Sequence, residues 1–263
     1  MVRTEVENGI ATVTLDAPAN LNALSPSMLA ALHESLAAVK RNSSVRVCIV
    51  TGAGSGFCSG ADLSAGQADD ADPSIRETVS REAMNNELNP LIRRLLDLPV
   101  PTIAAINGIA AGGGVGLALA CDLVMASDNA SFKLVFTPQL GLIPDLGASW
   151  HAPRKLGRAR AIAAAFLGET ISAKEAEESG LIWKAVAHQD LVTESTRVAA
   201  ILANGPTAAY VAVRKAFDQA EVNTLGAQLD YEAAIQPQLI ATDTFMEGVN
   251  AFKEKRKPNF IHR

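Results

Sequence analysis

The chain has 263 residues, 48% hydrophobic and 19% charged, which can bury a large core and excludes the disordered, collagenous and disulfide-framework classes. Its 23 basic and 28 acidic residues leave a net charge of −5, which argues against a nucleic-acid partner outside one basic run near the C-terminus. Cys48, Cys58 and Cys121 show no CxxC spacing and the four histidines are scattered, so no metal site is expected and a reducing, cytoplasmic setting is. No apolar h-region follows Met1, and no stretch approaches the ~18 unbroken apolar residues of a membrane span, so a soluble, unprocessed protein is expected.

Thr4 to Asp16 reads as a hairpin, with Asn8-Gly9 as its turn and alternating Ala11, Val13 and Leu15 behind it. Ser25-Pro26 reads as an N-cap followed by a first-turn proline, and Leu29, Leu32, Leu36 and Val39 then recur at helical spacing up to Arg41. Val45 to Thr51 is an apolar run ending at Gly52, as in a buried strand. Thr102–Asn107 and Asp122–Ala126 repeat that pattern around a glycine-led helical segment, Gly112–Ala120. Strand, turn and helix alternate, so the class is α/β. Residues 65–73 (AGQADDADP) read as a mobile loop, and from Arg158 onward the pattern is helical, punctuated at Gly168, Gly180, Gly205-Pro206 and Pro258.

Several motifs fail on inspection. Gly52-Ala-Gly54-Ser-Gly56 places Phe57 and Ser59 where a dinucleotide fingerprint needs its third glycine, and neither a phosphate loop nor a GxSxG elbow can be drawn. Two stretches remain: Phe57-Cys58-Ser59-Gly60-Ala61-Asp62-Leu63, and Asn107-Gly108-Ile109-Ala110-Ala111-Gly112-Gly113-Gly114 running into a helix. Glycines at a helix start leave N–H groups unpaired and unshielded, as a donor for a developing oxyanion must be; tight helix packing is the alternative. For Asp62 the alternative is an Asx turn.

Together these stretches resemble the crotonase (enoyl-CoA hydratase/isomerase) superfamily, over a span from Asn22-Ala23-Leu24-Ser25 to Lys255-Arg256-Lys257-Pro258-Asn259-Phe260. The resemblance implies a spiral of ββα units over residues 1–200 and a helical region over 201–263 that makes homotrimers or dimers of trimers. It also implies an acyl-CoA thioester substrate, with coenzyme A carried in by that substrate and no separate cofactor. By motif position the two N–H groups that hold the thioester oxygen fall on Ala61 and Gly113. The same resemblance sets Ala23, Asp62, Leu63, Gly112 and Phe136 around the substrate, and Lys255 against coenzyme A.

The hydratases of the superfamily carry one glutamate two residues past the triple glycine and a second twenty residues later. Gly116 and Phe136 stand there, and neither can move a proton. A carboxylate comes instead in Leu140-Gly141-Leu142-Ile143-Pro144-Asp145, similar in position to the single acid of the peroxisomal-type isomerases. The block through Trp150 and Arg154 most resembles the phenylacetate-degradation isomerases that act on ring-epoxyphenylacetyl-CoA. A lone carboxylate suits a proton shuttle between two carbons. Its alternative role is an N-cap ahead of Leu146-Gly147-Ala148-Ser149. The superfamily's chlorobenzoyl-CoA dehalogenase keeps a nucleophilic aspartate here but also a histidine, which this chain lacks before the triple glycine except at His33.

Lys253, Lys255, Arg256 and Lys257 read as a basic run on the last helix, matching the superfamily's contacts to the phosphates of coenzyme A or forming a merely solvated face. Met84, Leu88, Leu91 and Ile92, in the segment Ile75–Leu96, are candidate walls of the acyl pocket. Isomerase is the leading expectation, with a hydratase and a non-catalytic acyl-CoA binder as alternatives.

Overall fold

Asn8 and Gly9 turn the chain back on itself with φ of 51° and 78°, the left-handed pair that a two-residue hairpin of matching twist requires. This pairs β1 (Val2–Glu7) with β2 (Ile10–Leu15) from Val2↔Leu15 to Glu7↔Ile10. The computed structural model describes residues 1–62 and 72–260. Ala11, Val13 and Leu15 of β2 are fully buried, as the alternation predicts. Helix α1 (Pro26–Arg41) begins where the Ser25 hydroxyl accepts the Met28 N–H at 3.2 Å, and it buries Leu29, Leu32, Leu36 and Val39.

From here the chain climbs in turns that each serve two sheets. Strand β3 (Val47–Gly52) joins the first sheet beside β2 and β4 (Gly56–Cys58) starts the second. Helix α2 (Pro73–Ala83) follows and runs through a π-turn at Met84–Leu88 into α3 (Asn89–Leu96). In the next turn β5 (Thr102–Ile106) pairs with β3, β6 (Ile109–Ala111) with β4, and α4 (Gly113–Leu119) follows. The third adds β7 (Leu123–Ser127) beside β5, β8 (Ser131–Lys133) beside β6, and α5 (Phe136–Leu140). Helices α6 (Ala148–Leu156) and α7 (Arg158–Leu167) lead to β9 (Thr170–Ser172), which closes the second sheet antiparallel to β8. Helix α8 (Ala173–Glu178) follows, and strand β10 (Lys184–Val186) closes the first sheet, giving orders β1-β2-β3-β5-β7-β10 and β4-β6-β8-β9. This α/β spiral is the expected fold class.

The main core includes Phe57, Phe132, Leu15, Met28, Leu32, Leu91 and Leu95, and a smaller one (Val47, Ile49, Ile103, Met125) lies under α9 (Leu191–Ala203) on the other side of the first sheet. Helices α10 (Thr207–Ala220), α11 (Leu225–Ile240) and α12 (Asp243–Glu254) then extend outward. The boundary drawn at 200/201 falls inside α9; the chain leaves the sheet at Asn204–Pro206. Arg214 ties α10 back to the body by pairing with Asp122 at 3.0 Å and donating to the carbonyls of Leu98 and Val100.

Three sequence expectations need correction. The region after Arg158 is not helical throughout, because β9 and β10 interrupt it. Asp72 and Pro73 are not loop: the Asp72 carboxylate caps α2 by accepting the Ser74 N–H at 2.8 Å, and Pro73 is the first helical residue. The rest of the expected loop, and Leu63 with it, lies outside the described residues. Leu91 and Ile92 belong to the core rather than to a pocket wall, while Met84 and Leu88 are half-buried.

Candidate active site

The first motif is held from below by two side-chain amides. Asn22, fully buried, accepts the Ala17 N–H at 2.8 Å and donates to the carbonyls of Ala53 at 3.0 Å and Gly56 at 2.8 Å. Asn107 accepts the Gly52 N–H at 3.1 Å and donates to Gly54 and Gly56 at 2.9 and 3.1 Å. The glycine-rich stretch after β3 is therefore a structural clasp. Beyond it, Ser59 donates its N–H to Leu21 O at 3.0 Å, and Gly60 O accepts the Leu24 N–H at 2.7 Å. These bonds pair Leu24, next to buried Ala23, with exposed Ala61, which half-buried Asp62 follows.

The second motif meets the first at its glycines. Gly60 has φ of 90°, and a Cβ built on it would stand 3.0 Å from the Gly113 nitrogen, so the strand bearing Ala61 runs directly against the start of α4. Gly112 has φ of 51° and donates its N–H to Lys133 O at 3.0 Å, which anchors the turn into α4 to β8. Phe136 is buried at the start of α5, its ring edge 3.9 Å from where a Gly112 Cβ would be. Gly113 stands at the first helical position, where the N–H has no intrahelical acceptor. Among the described residues neither its N–H nor that of Ala61 finds a backbone acceptor. Packing also uses these glycines: a side chain on Gly114 would strike the Cys58 carbonyl, and one on Gly113 the end of the Leu146 side chain.

Asp145 opens a tight turn. Its carbonyl accepts the Ala148 N–H at 2.8 Å, and the two central residues, Leu146 and Gly147, have φ of 49° and 83°. That is a type I′ turn, in which a leucine is unfavourable by about 1–2 kcal/mol relative to glycine or asparagine. Leu146 is nevertheless buried, with its side chain against Gly113 and its carbonyl over Gly116, so that any Cβ at 116 would run into that carbonyl. The missing acid at Gly116 thus has a steric cause: α4 can carry no side chain there while this turn is in place.

The N-cap alternative for Asp145 does not hold. Helix α6 starts two residues later than a cap at 145 would require, and its N-cap, Gly147, makes no side-chain cap bond. Burial pushes the Asp145 carboxyl up to about 6, opposed only by its own backbone N–H. Of the apolar residues around it in sequence, Leu146 is buried, but Leu140, Leu142 and Ile143 are exposed, so desolvation comes from the fold rather than from that run. Sequence reasoning gave no role to His151, which borders the turn 3.3 Å from a Cβ built on Gly147, with Ile92 at 3.9 Å. Burial and the nearby Lys155 and Arg154 hold His151 down to about 4, so it is neutral at pH 7.

The C-terminal basic run is not all on α12, which ends at Glu254; Lys255 is its left-handed C-cap with φ of 55°. Arg256 is not available as drawn, because it binds Glu247 at 2.6 and 2.9 Å and Glu254 at 2.6 Å. Those bonds hold the Glu247 carboxyl down at about 2. Lys253, Lys255 and Lys257 are exposed and, among the described residues, form no salt bridge. No helix among the described residues is long and apolar enough to cross a membrane.

A family model described as "Enoyl-CoA hydratase/isomerase" matches residues 5–263. The chain is 44% identical over 263 residues to "Probable enoyl-CoA hydratase" of Rhodobacter capsulatus, covering 100% of this chain and 98% of that protein. It is 42% identical over 259 residues to "1,2-epoxyphenylacetyl-CoA isomerase" of Escherichia coli, covering 98% and 97%. Among solved structures, an enoyl-CoA hydratase from Polaromonas sp. JS666 superposes with a TM-score of 0.90 at 34% identity, covering 98% of each chain.

Proposed function

Because the chain belongs to the enoyl-CoA hydratase/isomerase family, we propose that it is an isomerase of acyl-CoA thioesters with Asp145 as its sole proton shuttle. The observation that carries this reading is the pairing of one partly desolvated carboxylate with a helix position, Gly116, that has no room for a second acid. On a β,γ-enoyl thioester, ionised Asp145 takes a proton from the carbon next to the thioester. The C–H electron pair moves into the carbonyl as a dienolate, whose oxygen accepts hydrogen bonds from the Ala61 and Gly113 N–H groups. Each such donor is worth about 3 kcal/mol in comparable oxyanion holes. Protonated Asp145 then returns the proton to the γ carbon, leaving the α,β double bond; no water is consumed. A carboxyl near 6 is mostly ionised at pH 7 yet a stronger base than one in water.

Ala23, Asp62, Leu63, Gly112 and Phe136 are proposed to surround the acyl thioester, and Lys255, with Lys253 and Lys257, to meet the phosphates of coenzyme A, which arrives with the substrate and makes a further cofactor unnecessary. Exposed Phe217, Leu225, Leu229, Met246 and Phe252 on α10–α12 favour burial against further copies, hence a homotrimer or a dimer of trimers, working in the cytoplasm. The name of the E. coli relative favours a ring-derived phenylacetyl-CoA substrate, and that of the R. capsulatus relative favours hydration as a second reading. Crotonyl-CoA, a 3-enoyl-CoA and 1,2-epoxyphenylacetyl-CoA assayed in parallel separate these readings. Hydration of crotonyl-CoA at or above the isomerisation rate overturns the isomerase, and binding without turnover of any of the three leaves only an acyl-CoA binder.

A further inference from the structure

Leucine is a poor choice for the first central position of a type I′ turn, and nothing in the local sequence explains it. The explanation lies across the turn, on α4. Gly113 and Gly116 are three residues apart, so they share a face of that helix, and Leu146 covers both: its side-chain tip meets Gly113 and its carbonyl meets Gly116. Cys58 fills the place a side chain would take on the neighbouring face at Gly114, so α4 is fixed between β4 and the turn. Asp145 is the residue immediately before this seat, and Gly113 is the proposed donor to the substrate oxygen.

We propose that Leu146 is a positioning residue: seated on Gly113 and Gly116, it fixes the Asp145 carboxylate relative to the Gly113 N–H and fills the space beside α4 that a second side chain would need. The inference rests on reading Asp145 as the base. The strained turn is held by packing rather than by local preference, a pattern common where geometry matters for chemistry. Leu146 and Gly116 are then one device: glycine at 116 exists to admit the Leu146 carbonyl, and a leucine at 146 exists to shut the remaining space. Buried Leu146 follows Asp145 directly, and Ile92 of α3 and His151 of α6 border Gly147, so the turn that carries the raised carboxyl is packed from both sides. The cations near His151 on α6, Arg154 and Lys155, act on the imidazole and not on Asp145.

The test uses Leu146→Asn, which suits the turn but removes the apolar seat, together with Leu146→Met, which keeps the volume, and Gly116→Ala, which drives the turn away. With a 3-enoyl-CoA substrate, Leu146→Asn and Gly116→Ala are expected to lower kcat by roughly 10²-fold with little change in KM, as a displacement of about 1 Å does. In Leu146→Asn the acid limb of the pH profile should also move down toward the ordinary carboxylate range, and Leu146→Met should restore both kcat and the profile. Wild-type kcat and pH midpoint in Leu146→Asn, or wild-type kcat in Gly116→Ala, overturns the proposal. Melting temperatures keep it testable without activity: the pH-dependent stabilisation produced by Asp145→Asn should vanish when Leu146 is already Asn, and its persistence overturns the positioning role. A wild-type protein inactive on 3-enoyl-CoA and 1,2-epoxyphenylacetyl-CoA instead overturns the isomerase reading and leaves that thermal result standing on its own.

Discussion

Asp145→Asn should make the protein more stable and nearly inactive at the same time. The carboxyl sits at about 6 in the folded chain and near 3.9 when unfolded, so folding favours its protonated form. For an acid with a raised folded pKa, the stability it contributes is full below about 3.9 and is lost as pH rises through about 6. At pH 7.5 the ionised group therefore weighs against the fold. The full gap corresponds to ~3 kcal/mol, and solvent reaching the half-exposed side chain reduces this to ~1–2 kcal/mol. Asparagine keeps the shape without the charge, so it should raise the melting temperature by ~2–6 °C at pH 7.5 and by progressively less toward pH 4.5. Turnover should fall ~10²–10⁴-fold. Thermal melts of both proteins at equal concentration from pH 4.5 to 7.5, beside a 3-enoyl-CoA assay, check both parts. A melting temperature lowered at pH 7.5 with normal activity per folded molecule refutes the reasoning, and so does a stabilisation independent of pH.

Reversing charge at Lys255 and Lys257 should raise KM for an acyl-CoA with kcat preserved, and added salt should weaken binding in the same way, because these contacts are exposed; titration of coenzyme A at two ionic strengths reads it. Arg256→Glu should perturb the end of α12 instead, since its partners are Glu247 and Glu254, and circular dichroism with the same KM measurement tells the two effects apart. Arg214→Ala should cost about 1–3 kcal/mol in urea unfolding, because it removes the donors to Asp122 and to the Leu98 and Val100 carbonyls while Thr102 still donates to Asp122. Hydration of crotonyl-CoA should be negligible beside isomerisation; an absorbance assay of the conjugated thioester is the check.

The hairpin, α1 and the long strands β3, β5 and β7 were legible because each runs five residues or more with a clear period or an unbroken apolar run. The second sheet was not, since β4, β6, β8 and β9 are three residues each, too short to show a period, and pair only with segments far away in sequence. Asp145 was legible as the one acid after Pro144, but its turn was not: Leu146 contradicts the local preference and makes sense only against Gly113 and Gly116, thirty or more residues earlier. The neutralisation of Arg256 was hidden for a related reason, because Glu247 lies nine residues back, beyond the spacing at which helix neighbours pair.

The alternation of strands between two sheets has a consequence for how such a protein can change. The proposed oxygen donors come from two successive turns, the candidate walls at Met84 and Leu88 from the helices after β4, and the acid from the chain after α5. If those roles hold, recognition and proton transfer draw on different turns of one spiral. On the proposed reading, the wall residues between β4 and α3 are open to change for a new acyl group while Asp145 keeps its place, whereas an acid on α4 requires the Leu146 turn over Gly113 and Gly116 to move first. A change of substrate is therefore a smaller structural step than a change of reaction.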